Sequence, residues 1–125
     1  SSPRTMERQA LDWVLLEHER TADLNRYYRG LINLRRSTPA LQSDTFEVVL
    51  RDDARGLVGF KRWNNEGSVV VVVANLKHQY AGEFAVGGLE DGVWHEYVYN
   101  YDNHVQGGTL RDTLAESEVK VFVKQ

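Results

Sequence analysis

The sequence predicts a mainly β domain, an antiparallel β-sandwich or Greek-key barrel, preceded by one N-terminal α-helix. Three observations carry this. After Pro39 the chain falls into five to seven short apolar runs separated by turn residues, the grammar of a sandwich or barrel. At the end, Val119, Val121 and Val123 alternate with Lys120 and Lys124, the period of two that marks a half-buried strand. Before Pro39, Leu24, Tyr27, Leu31 and Leu34 recur instead at helical spacing.

The elements follow in order. Residues 1–20 mix charged and apolar groups without a period, and Leu11, Trp13, Val14, Leu15 and Leu16 need cover, so an ordered irregular arm is expected. Thr21 can cap the helix, and Asp23 places a negative charge in its first turn. Pro39 keeps Thr38 out of the α conformation, so the helix ends near Arg36 or Ser37. Tyr28 and Ile32 widen its apolar stripe beyond what one modest face requires. Phe46–Arg51 reads as a strand and Asp52–Gly56 as a turn; Leu57–Trp63 is a second strand, closed by Asn64-Asn65-Glu66-Gly67. Val69–Leu76 is almost continuously apolar, which marks a strand buried on both faces. Tyr80–Val86, the turn Gly87–Gly92 and Val93–Tyr99 come next, with Asn100–Gly108 read as a polar loop. The domain division expected is 1–38, arm and helix, and 39–125, the β domain.

Composition narrows the function. The 125 residues are 42% hydrophobic and 26% charged, the balance of a globular domain. No apolar run approaches the ~20 residues of a membrane span. The net charge is -3 with scattered cations, so the concentrated basic surface that nucleic acid requires is missing. No cysteine is present, which removes disulfides, thiolate metal sites and cysteine nucleophiles; a reducing, cytoplasmic compartment is the expectation. The opening Ser1-Ser2-Pro3-Arg4 and the single methionine at Met6 carry no signal-peptide pattern, and the chain is expected to be a piece of something longer.

Candidate chemistry is sparse. Adjacent Asp52-Asp53 is the carboxylate pair that invites a glycosidase reading, but neighbours in an extended segment point to opposite faces, whereas that chemistry needs two carboxyl groups facing across a bond. His18, His78, His95 and His104 show no metal-gathering spacing, and His95 is expected as an exposed cross-strand neighbour. No catalytic, cofactor-binding or metal-binding residue is assigned. Trp63, Trp94, Tyr97, Tyr99 and Tyr101 form the aromatic set on which a sugar ring could stack, with Asn100, Asp102 and Asn103 to bond its hydroxyls. Core packing is the competing role for the same rings. Tyr97, Tyr99 and Tyr101 share a face if the strand continues that far.

The order of motifs resembles a known junction. Leu11-Asp12-Trp13-Val14-Leu15-Leu16 and the stretch Leu24–Leu41 are similar to the last helix of the catalytic (β/α)8 barrel of the α-amylase family, where it enters the C-terminal β domain. Gly56–Trp63, Val69–Leu76, Gly92-Val93-Trp94 and Tyr99-Asn100-Tyr101-Asp102 look like that domain's strands and loop. Glucan branching enzymes and related amylases are the subgroup resembled, and Val105–Leu114 departs most from the pattern. The resemblance implies a Greek-key β-sandwich of the α-amylase C-terminal type. It also implies a larger enzyme that cleaves, and perhaps transfers, α-1,4-glucan by a retaining mechanism. That enzyme's catalytic carboxylates lie upstream on barrel strands, and none maps onto this chain. The role implied here is bracing the barrel through Leu24, Tyr27, Leu31 and Leu34, with glucan binding by surface aromatics as the alternative. In the isolated chain that stripe is expected to be exposed or covered by a second copy, a homodimer.

Overall fold

The structure, a computed structural model, describes residues 45–63, 67 and 69–125, with Thr45 and Phe46 described by their backbone alone. The predicted arm, the helix and its stripe at Leu24, Tyr27, Leu31 and Leu34 lie outside the described residues. What is described is β throughout: β1 Thr45–Asp52, β2 Leu57–Trp63, β3 Val69–Asn75, β4 Gly82–Val86, β5 Gly92–Glu96, β6 Tyr101–Val105, β7 Leu110–Leu114 and β8 Val119–Lys124. Every strand pairing is antiparallel. A six-stranded sheet runs in the order β1-β2-β3-β8-β5-β6, and β4 and β7 form a second, two-stranded sheet.

The second sheet covers one face of the first. Phe84, Val86, Leu110 and Leu114 from the small sheet meet Leu57, Val71, Val73, Trp94, Val105 and Phe122 from the large one in a single buried cluster. Because side chains alternate along a strand, the residues between these point the other way. Val58, Phe60, Val70, Val72, Ala74, Val119 and Val121, with Leu76, form a second buried cluster on the outer face of β2, β3 and β8. The small sheet contributes nothing to it. The run Val69–Leu76 is thus buried on both faces, as its unbroken apolarity predicts.

Three expectations are corrected. First, β8 is not half-buried: Phe122 is fully buried on the inner face, and Lys120 beside it is 7% exposed. The lysine is tolerated there because its Nζ donates to Asp112 Oδ1 at 3.0 Å, which supplies the partner a buried charge requires. Second, the loop Asn100–Gly108 and the unassigned stretch after it contain β6 and β7. Their inward positions include Tyr101, Asn103 and Asp112, so alternation of polarity is lost although alternation of side chains is kept. These groups satisfy one another: Tyr101 Oη donates to Asp112 Oδ2 at 2.5 Å, and Asn103 Nδ2 to the Arg111 carbonyl at 2.8 Å. Third, β5 stops at Glu96, and residues 97–100 form a turn, so Tyr97 and Tyr99 do not continue a strand face to Tyr101.

Glu96 makes that turn. It is completely buried, and its carboxylate accepts backbone N–H groups from Tyr99 at 2.5 Å, Val98 at 3.0 Å and Val121 at 2.7 Å. Asn100 closes the turn in the left-handed region, at φ 62, a conformation asparagine tolerates better than most residues.

Candidate functional site

The five aromatics singled out in the sequence are divided by the fold between two places. Trp63 and Trp94 border a cleft of about 240 Å3 at the mouth of the two-sheet core, together with Lys61, Val69, Gly88 and Glu90. Lys61 and Trp63 are two residues apart on β2 and so share a face; the Lys61 ammonium lies 4.6 Å from the centre of the Trp63 ring. Cations are held over indole faces at such distances. Across the cleft, the segment 87–91 is fixed at several points. Leu89 is buried in the core, its N–H donates to the Gly108 carbonyl, and Gly108 N–H donates to Asp91 Oδ1. Trp94 Nε1 donates to the Glu90 carbonyl at 3.0 Å. Trp94 itself is fully buried, so it forms the floor and pins the rim, and no ring face is free for stacking. Trp63 is half-buried, with its ring on the cleft.

The second place is the turn after β5. Tyr97 and Tyr99 are 42% and 54% exposed, with Val98 between them. Tyr97 meets the His95 ring edge-on at 5.2 Å. His95 is opposite Asp102 across the β5–β6 pair, as a cross-strand neighbour. Its Nδ1 is 2.7 Å from Asp102 Oδ1 and its Nε2 2.9 Å from Asn100 Oδ1. The Asp102 hydrogen bond holds the imidazole above its usual pKa. Tyr101 turns inward, and burial together with the Asp112 carboxylate pushes its phenol far up. Around it, Asp112 also takes Lys120 Nζ, whose ammonium stands 5.5 Å from the Tyr101 ring and 5.8 Å from that of Tyr99. Burial works against the charge on Asp112, but the hydrogen bonds from Tyr101, Thr113 N–H and Lys120 outweigh it and keep the carboxyl below its usual range.

Asp52 and Asp53 are turn residues. Asp52 accepts the Arg55 N–H and its Nε, and those bonds lower its pKa; Asp53 pairs with Arg51. Among the described residues no three His, Asp or Glu side chains gather as they would around a metal ion.

Sequence reasoning missed the polar half of the cleft. Lys61 two positions before Trp63 was a readable signal, since such residues face the same way. Glu90 carried none, because only the folding of 87–91 against β2 brings it there.

No protein-family model matches the chain. Curated relatives do. The 1,4-alpha-glucan branching enzyme GlgB of Thermosynechococcus vestitus is 32% identical over 111 residues, covering 83% of this chain and 14% of that enzyme. GlgB 2 of Xanthomonas campestris pv. campestris is 33% identical over 109 residues, covering 82% and 15%. GlgB of a Synechococcus species is 38% identical over 94 residues, covering 70% and 12%. The chain therefore spans 12–15% of the length of these relatives. Among solved structures, an Anoxybacillus alpha-amylase matches 73% of this chain and 20% of its own at a TM-score of 0.56 and 22% identity. AmyP in complex with maltose matches 81% and 20% at 0.55 and 15% identity. At those identities the likeness is one of fold. The resemblance to branching enzymes and related amylases, drawn from the residues, is borne out.

Proposed function

We propose that this chain, a relative of 1,4-α-glucan branching enzymes with the fold of part of an α-amylase, is a non-catalytic C-terminal domain that braces the catalytic body of an α-1,4-glucan-active enzyme. The observation that supports it most is the partial match to branching enzymes: the Thermosynechococcus vestitus enzyme covers 83% of this chain, which spans only 14% of that enzyme. The carboxylates point the same way: Asp52, Asp53, Glu96, Asp102 and Asp112 are each held by cationic, imidazole, phenolic or backbone donors. None of them forms the facing pair that glycoside cleavage uses. In this reading residues 39–125 are the bracing domain. Leu24, Tyr27, Leu31 and Leu34 join it to a (β/α)8 barrel that carries the reaction.

The test uses the whole enzyme. The chain alone is expected neither to cleave nor to branch amylose, while the full-length enzyme does so. Removing residues 45–125 from that enzyme is expected to lower the temperature at which activity is lost and the soluble yield. A chain that cleaves amylose alone, or a truncated enzyme as heat-stable as the intact one, would refute the proposal.

A further inference from the structure

We propose that Arg55 is a strap over the open edge of β4, and that this edge, once uncovered, is a pairing site for the β4 edge of a second copy of this chain.

The small sheet has two strands among the described residues, so each turns one row of backbone N–H and C=O groups away from the other. The β7 side is met by the large sheet: Asn103 of β6 donates from Nδ2 to the Arg111 carbonyl at 2.8 Å. The β4 side is met by one side chain. Arg55 Nη1 donates to the Ala81 carbonyl at 3.1 Å and to the Glu83 carbonyl at 2.6 Å. Glu83 therefore turns its backbone away from β7, and by the alternation of an antiparallel ladder Ala85 does the same. This edge lies at the surface. Glu83 and Ala85 are exposed, and Tyr80, just before the strand, is 70% exposed.

The strap is set before it meets β4. Arg55 sits in the turn between β1 and β2, which is tied to the segment leading into β4. The Ala54 carbonyl accepts from Lys77 Nζ at 2.7 Å, and the Gly56 carbonyl from Leu76 N–H at 2.8 Å. Asp52 accepts the Arg55 N–H at 3.1 Å and its Nε at 2.7 Å. Turn formation alone needs only the first of these Asp52 bonds. The planar guanidinium fork serves the carboxylate and the two carbonyls at once, which a lysine could not do.

A second copy suits the uncovered edge. Laid antiparallel across a two-fold axis at Phe84, Glu83 of one copy stands opposite Ala85 of the other, so like charges are not brought face to face. The pairing turns a two-stranded sheet, the least stable kind, into a four-stranded one. β1, at the edge of the large sheet, is less suited, because a bulge between Val48 and Leu50 breaks its register.

Sedimentation velocity of the full 125-residue chain across a concentration series tests this, together with amide hydrogen exchange. Arg55→Met keeps the apolar stem and removes the donors. It should self-associate about tenfold more tightly than the parent, or more, because no charge-assisted bond has to be shed first. Its Ala85 amide should gain protection as concentration rises. Asp52→Asn, which loosens the guanidinium and leaves a turn-forming residue, should associate to a smaller extent; it carries the test if urea unfolding shows that Arg55→Met does not fold. Arg55→Met/Ala85→Pro removes the edge donor where an edge strand accepts proline, and should associate as the parent does. If that double variant does not fold, the Ala85 amide decides. Association of Arg55→Met and Asp52→Asn no tighter than the parent's overturns the proposal. So does tighter association that persists with Ala85→Pro or leaves the Ala85 amide unprotected, because the contact would then lie away from β4.

Discussion

Both ring nitrogens of His95 face oxygen acceptors, and a neutral imidazole can donate to only one of them. The protonated ring serves both, so folding favours the charge and the pKa stands above the ordinary 6.5, with the Asp102 hydrogen bond as the main cause. A folded pKa above the unfolded one means stability that is fully present below pH 6.5 and lost as pH rises through the folded value. The His95 ring protons, followed by NMR, should titrate above pH 6.5 in the native chain and nearer to it in Asp102→Asn. The melting temperature of the native chain should fall more steeply across neutral pH than that of His95→Gln; parallel profiles would contradict the assignment. Glu96 is a different kind of residue, buried with three backbone N–H groups on its two oxygens. Glu96→Gln turns one acceptor into a donor facing a donor, at a cost of about 1–3 kcal/mol. Urea unfolding measures it, and a midpoint unchanged from the parent would show that the turn does not depend on this carboxylate.

At the scale of elements, legibility followed the match between polarity and direction. β2, β3 and β8 were visible in the sequence because most of their inward and outward positions are apolar runs or alternate with charge. β6 and β7 were not, because Tyr101, Asn103 and Asp112 face inward and are made acceptable only by one another and by Lys120. Strand detection from hydrophobic period fails where the inner layer is a polar network. The end of β5 was hidden for a related reason: Tyr97-Val98-Tyr99 has strong β propensity, and tertiary bonds to Glu96 override it. Half of the candidate site was legible in the same sense, through Trp63 and Trp94, while Glu90 reaches the cleft only through the fold. The turn 97–100 yields its own prediction. Asn100 contributes both a left-handed backbone, at φ 62, and the Oδ1 that faces His95. Asn100→Gly keeps the first and removes the second, whereas Asn100→Ala removes both. Asn100→Ala should therefore be the less stable variant, by about 1 kcal/mol, and both should lower the His95 pKa. Equal stability of the two would mean that the backbone conformation is not strained for alanine.

The whole molecule is asymmetric across its large sheet. The inner face is closed by β4 and β7. The outer face is divided: over β5 and β6 it carries His95, Asp102 and His104, and over β2, β3 and β8 it carries the apolar cluster. Water suits the first half and not the second. A fragment of residues 45–125 has no described strand to lay over Val58, Phe60, Val70, Val72, Val119 and Val121. Such a fragment is expected to bind a hydrophobic dye and to associate in a concentration-dependent manner, read by sedimentation velocity. Val72 and Val121 are direct partners in the β3–β8 register, so Val72→Lys places a charge at the centre of that face without touching the inner core. It should return the fragment to the monomer. In the full-length enzyme the same substitution should act oppositely, lowering heat stability, because the bracing role proposed above needs this face covered. The two effects together separate a docking face from a merely buried one. If Val72→Lys destabilised the fragment and the enzyme alike and left association unchanged, the face would belong to the domain's own core and not to its junction with a larger body.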